Sequence, residues 1–309
     1  MNTVTLTLTA QQIQTLKALY PQAKISAVPY AHYRLQIPQL TITAYHSGKV
    51  VFQGKLAQDH ANPWQSKSST WQSPSKEKNK PRKSSIHSTS VLMGSDEVGN
   101  GSYFGALTVA AVFLTADQIK YAQTLGIKDS KHLNDQQIIK LSQIIRSEFK
   151  HSLRVCNPSE YNRLIGPYNA VSLKVHLHNQ VLLDLLNKLN PKEKSLLQGI
   201  LIDQFTSPAN YYKYLNKEET PLKQGLHFKV RSESIHLSVA SASILARAAF
   251  LQSLQDLGQA YHTKLPSGAG LQVDNFGRQL VAQWGPEVLK NTAKLHFKNT
   301  QKILNPNTR

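Results

Sequence analysis

Cysteine is almost absent from this chain: Cys156 is the only one in 309 residues. A single thiol excludes an intrachain disulfide and the cysteine-rich cage of a structural zinc site. The sequence has no apolar run of the roughly 18 residues that span a bilayer. Its start, MNTVTLTLTA, lacks the basic stretch and apolar core of a secretory signal. We therefore expect a cytoplasmic protein with no membrane segment and no disulfide partner.

Acidic residues are the second shortage, with 18 Asp+Glu against 36 Lys+Arg and a formal net charge of +18. An excess of positive charge attracts polyanions, of which nucleic acid is the commonest. A basic surface without any partner is the alternative that charge alone leaves open. Hydrophobic residues make up 40% of the chain, which is ordinary for a globular protein, and the length allows two domains.

Hydrophobic periodicity predicts a small first unit at residues 1–58. Residues 3–9 alternate Thr with Val or Leu, the pattern of a half-buried strand, and a helix and further strands follow. Residues 59–89 are rich in Ser, Lys and Pro and have few aliphatic side chains. This composition predicts a flexible basic linker, with a structured basic arm as the alternative.

The remaining residues, 90–309, alternate apolar strands with helical patterns, which is typical of an α/β domain. The predicted strands are 91–93, 107–114 and 199–202. The predicted helices include one that begins at an Asn134 capping box, one at 171–189, and one at 236–257 with Gly258 as its C-cap.

Two of these strands end in carboxylates: Asp96 and Glu97 follow the first, and Asp203 follows the last. A carboxylate where an apolar strand leaves the core is costly unless its charge is compensated. Mg²⁺ or Mn²⁺ can compensate it, because these ions bind one or two carboxylates together with substrate phosphates. Neighbouring strand residues point to opposite faces, so ideal strand geometry should not bring Asp96 and Glu97 into one pocket. For each acid alone, a helix cap or a solvated strand end is the alternative.

Gly99-Asn100-Gly101 follows directly and is dense in glycine. Backbone N–H groups without a neighbouring Cβ can approach a phosphate or a sugar hydroxyl closely. A simple tight turn is the alternative.

Several motifs, in order along the chain, resemble those of the ribonuclease HIII family. They are GSDEVGNGSYFG at 94–105, GIKDSKHL at 126–133, HNQ at 178–180, LIDQF at 201–205, SESIHLSVASASILAR at 232–247, LPSGAG at 265–270 and KLHFKNT at 294–300. The first unit, with SGKVVFQGK at 47–55, is similar to the family's N-terminal domain, which resembles half of a TATA-box-binding protein.

The resemblance implies a fold and an activity. The fold is a ribonuclease H-like catalytic domain, a mixed sheet flanked by helices, preceded by a small α+β substrate-binding domain. The activity is hydrolysis of the RNA strand of RNA–DNA hybrids with two Mg²⁺ or Mn²⁺ ions, leaving 5′-phosphate and 3′-hydroxyl ends. By analogy with the family we expect a monomer.

The resemblance also implies the site residues. The family's four metal-binding, catalytic acids fall on Asp96, Glu97, Asp203 and Glu233; no pattern in the residues themselves marks the fourth. The loop Gly99, Asn100 and Gly101 falls where the family contacts ribose 2′-hydroxyls, the group that distinguishes RNA from DNA. Lys128 and Lys131 are candidate phosphate contacts, with solvated side chains as the alternative.

Two other functions are consistent with parts of the sequence. One is ribonuclease HII-like cleavage at single embedded ribonucleotides, against which the first unit, Glu233 and the GAG stretch at 268–270 favour type HIII. The other is a non-catalytic hybrid-binding protein. Retention of four acids argues against it, because a pure binder has no need to gather repelling carboxylates near phosphates.

Overall fold

The structure is a computed structural model that describes residues 3–65, 86–127 and 133–305. The chain divides into two compact units, Met1–Lys83 and Ser84–Arg309.

The first unit is an antiparallel sheet with two helices. Alternating apolar residues form its strands, which lie in the order β1-β5-β4-β3-β2. They are β1 (Thr3–Thr7), β2 (Lys24–Ser26), β3 (Ala31–Ile37), β4 (Leu40–Tyr45) and β5 (Lys49–Gly54), and the helices are α1 (Ala10–Ala18) and α2 (Ala57–Gln65). Residues of one sheet face, among them Leu35, Ile42 and Phe52, form the core with Ile13 and Leu16 of α1. The opposite face bears mostly polar side chains, such as Thr41 and Gln53, together with Val51.

Helix α2 extends past the predicted end of this unit at residue 58. Its Ala57, Ala61 and Trp64 are buried in the core at helical spacing. The predicted linker, 59–89, therefore begins too early, because the prediction weighed aliphatic content and missed a stripe of two alanines and a tryptophan. The predicted linker also ends too late, since Ile86 packs on the core of the second unit. Residues 66–85 lie outside the described part of the chain.

The second unit is built on a mixed sheet of order β10-β9-β6-β7-β8, as expected. Its strands are β6 (Leu92–Val98), β7 (Leu107–Leu114), β8 (His151–Cys156), β9 (Gly199–Asp203) and β10 (Leu226–Lys229). Strands β10, β9 and β6 run parallel, whereas β7 and β8 are antiparallel to their neighbours. Strand β6 is thus central, between β9 and β7.

Helices cover both faces of this sheet, and the last three helices pack in a further core with Tyr103, Phe104 and Phe250. They are α3 (Ala116–Thr124), α4 (Asp135–Glu148), α5 (Pro158–Leu164), α6 (Ala170–Lys188), α7 (Pro191–Leu196), α8 (Pro208–Leu215), α9 (Leu237–Gln259), α10 (Leu271–Trp284), α11 (Val288–Thr292) and α12 (Lys298–Leu304). Alternate residues of β7 enter two cores: Val109 and Phe113 pack with α6, and Ala110 and Val112 pack with α4 and α9. Burial on both faces explains the unbroken apolar run of β7.

Helix α9 is longer than predicted, and the prediction of Gly258 as its C-cap was wrong. The helix continues to Gln259 and is capped by Ala260. Gly258 is needed for a close approach instead, since a Cβ there would lie 2.3 Å from the carbonyl oxygen of Thr263. Within the described residues, α9 is the helix whose length and mean hydropathy of 1.4 would suit a membrane span. However, 78% of that window is buried in the unit, as in the core helix of a soluble domain.

Candidate active site

Asp96 and Asp203 lie side by side where the pairing of β6 with β9 ends. In the parallel pairing of β6 with β9, Ser95 lies opposite Ile202, so the next residue of each strand is an aspartate. Asp96 is 8% exposed. The Oδ1 atom of Asp203 accepts hydrogen bonds from the backbone N–H and the hydroxyl of Ser232, at 2.8 and 3.0 Å. The two aspartates therefore meet, although β6 does not end before Asp96 as predicted: the strand continues to Val98, and Asp96 pairs with Ala110 of β7.

Glu233 reaches the same edge through the strand after Asp203. Strand β10 pairs in parallel with β9 and places Lys229 opposite Asp203. Arg231, in the left-handed conformation with φ of 56°, then turns the chain into a single 3₁₀ turn, Ser232–Ser234. Glu233 is only 6% exposed in this turn, and its charge acts on Asp203.

Glu97 points to the opposite face of β6, toward α6. Lys174 Nζ donates to Oε1 of Glu97 at 3.0 Å, and Nε2 of His178 lies 3.1 Å from Oε2. The Nδ1 atom of His178 is 2.6 Å from the hydroxyl of Ser95, and its ring stacks on Phe205 at 5.1 Å. Both oxygens of this carboxylate are therefore held by a lysine and a histidine one helical turn apart.

Asp96 faces α9 instead, where the hydroxyl of Ser243 hydrogen-bonds to it. Adjacent acids thus point to opposite faces, as strand geometry predicts. Both nevertheless line the same cleft, which ideal strand geometry alone would not predict. The pairing of β6 with β9 stops at Ser95, so on that side the sheet no longer separates its two faces, although β6 stays paired with β7 through Val98.

The acids differ in charge compensation. Burial, followed by repulsion from Glu97 and Asp203, raises the pKa of Asp96 well above its ordinary value. Burial and the charges of Glu233 and Glu97 likewise raise the pKa of Asp203, against the hydrogen bonds from Ser232. Burial would also raise the pKa of Glu97, but His178 and Lys174 outweigh it and the pKa is lowered. Asp96 and Asp203 are the carboxylates that still need positive charge.

The cleft around these acids has a volume of about 470 Å³. Its described lining consists of Asp96, Glu97, Val98, Asp135, Asp203, Glu233, Ser243, Arg247, Phe250, Leu251 and Ser267. Five carboxylates and one guanidinium thus face one opening in a chain of net charge +18. Such a cleft suits cations, or an anion that arrives with cations.

The glycine loop lies at the rim of the cleft, directly after Val98. Gly99 has φ of +92°, and a Cβ there would lie 2.2 Å from the carbonyl oxygen of Ala106. Gly101 faces open space, with no atom within 4 Å of a Cβ position. Ser102 Oγ accepts from the N–H of Gly268 at 3.1 Å, which ties the loop to the LPSGAG segment. Asn100 and Gly101 are exposed, and Lys128 and Lys131 lie outside the described residues.

Three residues contact or line the site but are not among those predicted from the sequence: Lys174, His178 and Arg247. A signal for the first two was present, because a lysine and a histidine four residues apart interrupt an otherwise apolar helix face. Arg247 was likewise visible as the one cation in the Ala- and Ser-rich helix α9. In each case the partner is distant in sequence, 77 residues for Lys174 and Glu97, and no local pattern identifies it.

Comparison with known proteins agrees with the fold. The model of the family described as "Ribonuclease HII" matches residues 93–300, and the one described as "Domain of unknown function (DUF3378)" matches residues 3–79. The second unit is therefore the catalytic domain of a type 2 ribonuclease H, a hydrolytic nuclease.

Relatives that match nearly the whole chain identify the family more specifically. Ribonuclease HIII of Enterococcus faecalis is 41% identical over 285 residues, covering 91% of each chain. Ribonuclease HIII of Streptococcus pneumoniae is 40% identical over 309 residues, covering 99% of this chain and 100% of its own. The crystal structure of Bst-RNase HIII in complex with Mn²⁺ superimposes with a TM-score of 0.67 at 35% identity, covering 98% of each chain. The chain belongs to the ribonuclease HIII family, whose members are endoribonucleases acting on RNA–DNA hybrids, and the resemblance drawn from the motifs is confirmed.

Proposed function

We propose that this chain hydrolyses the RNA strand of RNA–DNA hybrids with Mg²⁺ or Mn²⁺ held by Asp96, Glu97, Asp203 and Glu233. The observation on which this rests is the convergence of four carboxylates from β6, β9 and the turn after β10 on one cleft. Two of them, Asp96 and Asp203, have raised pKa values because burial and like charges oppose their ionisation.

The residues fit divalent cations that keep open coordination positions. Within the described residues, no three His, Cys, Asp or Glu side chains lie close enough together to hold a metal ion by themselves. Mg²⁺ does not need three such side chains, since it commonly uses one or two carboxylates and completes its coordination with water and substrate phosphates. The hard oxygen donors of the cleft and their uncompensated charge match that requirement.

Bound cations would supply the charge that activates a water and stabilises the leaving 3′-oxygen. We assign Asp96 and Asp203, which lie next to each other on the adjacent parallel strands β6 and β9, as the ligands most closely shared by the cations. Lys174 and His178 hold both oxygens of Glu97 and fix its orientation. Glu233, beside Asp203, completes the donor set. The products carry 5′-phosphate and 3′-hydroxyl ends, and no side chain acts as a nucleophile.

We propose two substrate-binding elements. The exposed Asn100 and Gly101 at the rim offer backbone groups to ribose 2′-hydroxyls. In the first unit, the sheet face opposite the helices bears hydroxyl, amide and guanidinium groups: Gln53 lies opposite Thr3 and Thr41, and Arg34, whose Nε donates to the buried hydroxyl of Thr43, lies on the same face. These groups can contact sugars and phosphates without reading the base sequence.

An end-labelled RNA–DNA hybrid tests the proposal, with the full chain in Mg²⁺, Mn²⁺ or EDTA. Asp96→Asn and Asp203→Asn should lower the rate of RNA-strand cleavage by more than about 10²-fold while hybrid binding persists. Asp256→Asn, which removes an exposed acid of α9 that accepts from Gln252, is the matched control and should cut normally. Binding without cleavage in either metal would leave only the hybrid-binding alternative.

A second substrate separates type HIII from type HII specificity. A DNA duplex with one embedded ribonucleotide should be cut poorly beside a duplex with a tract of several. Equal cutting of both would favour the HII-like alternative.

A further inference from the structure

One ion pair in the acidic cleft lies outside the four proposed metal ligands. Arg247 Nη2 donates to Oδ1 of Asp135 at 3.0 Å, and both side chains line the cleft. Arg247 lies one helical turn after Ser243, whose hydroxyl hydrogen-bonds to Asp96. The guanidinium therefore belongs to the same wall of α9 as the group that contacts the central aspartate.

Folding stability does not account for this pair. The side chain of Arg247 is 29% exposed and that of Asp135 is 59% exposed, and ion pairs at such exposure contribute little to stability. Among the described residues that line the cleft, Arg247 is the only cation beside five carboxylates. It is thus the side chain there that can attract an anion, and its planar fork matches two oxygens of a phosphate.

We propose that Arg247 binds a backbone phosphodiester of the hybrid near the scissile phosphate, and that Asp135 holds the guanidinium in the cleft until the phosphate replaces it. This inference rests on the proposed function. Asp135 is well placed for such a latch because the capping box of α4 fixes its backbone: Asn134 and Gln137 exchange hydrogen bonds of 2.9 Å across it. The arginine is thereby preoriented, which lowers the entropy lost on binding.

The space next to the Arg247–Asp135 pair is large enough for a nucleic-acid strand that passes Arg247. A second cavity, of about 430 Å³, adjoins the cleft and shares Asp135 and Leu251 with it. Its other described lining residues are Ile139, Leu254, Gln255, Gln259, Thr263, Lys264 and Leu265. A strand that passes Arg247 therefore has room to continue along α9, over a surface that is partly apolar and carries amide groups and one lysine.

Asp135 competes with the substrate phosphate for Arg247, so removing the charge of Asp135 should strengthen hybrid binding. We would measure the affinity of the full chain for a fluorescent RNA–DNA hybrid by anisotropy in EDTA, across a NaCl series. Arg247→Met should weaken binding about 10-fold and reduce the slope of log K against log salt by about 0.9, as expected for one lost phosphate contact. Asp135→Asn should tighten binding several-fold, and Arg247→Lys should restore the salt slope but only part of the affinity.

The double variant decides between the latch and general electrostatics. In the Arg247→Met background, Asp135→Asn should leave the affinity unchanged, since the arginine it would release is gone. Tightening of the same size in both backgrounds, or equal tightening by Asp256→Asn, would mean that only the loss of a negative charge matters and would overturn the proposal. Weaker binding by Asp135→Asn, with unfolding excluded by circular dichroism, would overturn it as well. Cleavage by the unmodified chain in Mn²⁺, measured alongside, tests the proposed function separately from this cycle.

Discussion

Asp96 and Glu97 are neighbours on one strand, yet their electrostatic environments are opposite. Glu97 is paired with Lys174 and His178. Asp96 accepts a hydrogen bond from the hydroxyl of Ser243 and is repelled by the carboxylates of Glu97 and Asp203. The first is a satisfied ion pair and the second is a charge that the fold alone does not compensate. This asymmetry is what a cation-binding site requires, because one ligand must be oriented and another must be left in need of charge.

The first prediction is that Asp96→Asn stabilises the metal-free fold at neutral pH, by about 1 kcal/mol, a usual gain when a strained functional group is relieved. The raised pKa of Asp96 means that ionisation in the folded state is unfavourable, a penalty that the neutral amide removes. The gain should be complete above the raised pKa and absent below the ordinary aspartate pKa, where the wild-type side chain is itself protonated. Thermal unfolding in EDTA across pH measures it, and a lower melting temperature for Asp96→Asn at pH 7 would contradict it.

Glu97→Gln is the matched substitution, and we expect it to change the stability of the fold in the opposite direction to Asp96→Asn. The lowered pKa of Glu97 is a stabilising contribution that is present at neutral pH and is lost as the pH falls through that pKa. Removing the charge leaves Lys174, 7% exposed, without its carboxylate partner. We expect a loss of about 3 kcal/mol in the free energy of unfolding, as for a broken buried pair. Equal effects of the two substitutions would show that the neighbouring acids are not distinguished by their surroundings.

At the scale of elements, the site depends on how closely α9 packs on β6. Gly94, two residues before Asp96, makes this possible: a Cβ there would lie 2.3 Å from the backbone nitrogen of Val239 and 2.4 Å from the carbonyl carbon of Ser238. Both are backbone atoms, which cannot move as a flexible side chain would. The contact sets the distance between Asp96 on the strand and Ser243 on the helix.

Gly94→Ala should therefore destabilise the fold by about 2 kcal/mol, as overpacking does, and lower the cleavage rate because Asp96 and Ser243 are pushed apart. Gly101→Ala is the control, since a Cβ at that position meets no atom within 4 Å and its φ is not positive. Chemical denaturation of both variants measures the effect. A Gly94→Ala protein as stable as Gly101→Ala would show that α9 can withdraw from β6 without cost.

The same scale explains which parts of the site could be predicted from the sequence. Local signals were sufficient for β7, for the capping box of Asn134 and Gln137, and for Asp203 at the end of its strand. Glu233 had no such signal, because its place depends on the parallel pairing of β10 with β9 and on the left-handed turn at Arg231. Only the family resemblance indicated it. Side-chain partners formed across the sheet, such as Lys174 with Glu97, depend on tertiary packing and lay beyond local patterns.

At the scale of the whole molecule, the two units differ in charge, which indicates that they contribute differently to binding and to catalysis. Residues 1–83 contain 11 Lys+Arg and 2 Asp+Glu, a net charge of +9 and thus half of the total of +18 in about a quarter of the chain. The other unit keeps 16 of the 18 acids, five of them in the cleft. Affinity for a polyanion should therefore depend disproportionately on the first unit, which includes the basic segment at residues 76–83, and catalysis on the second.

The basic run near residue 80 provides the sharpest test of this division. Changing Lys76, Lys78 and Lys80 together to Gln should weaken hybrid binding about 10-fold or more at low salt and flatten its salt dependence, since phosphate contacts are lost. The rate of cleavage at saturating hybrid should stay unchanged, because the cleft is untouched. The matched control changes Lys213, Lys217 and Lys223 to Gln; these lysines are exposed in the second unit and outside the described cleft lining. Both variants lose the same net charge, so a loss of affinity confined to the first would localise the contact. Equal losses would mean that the hybrid responds only to the overall field of the protein, and the basic segment would then have no special part in binding.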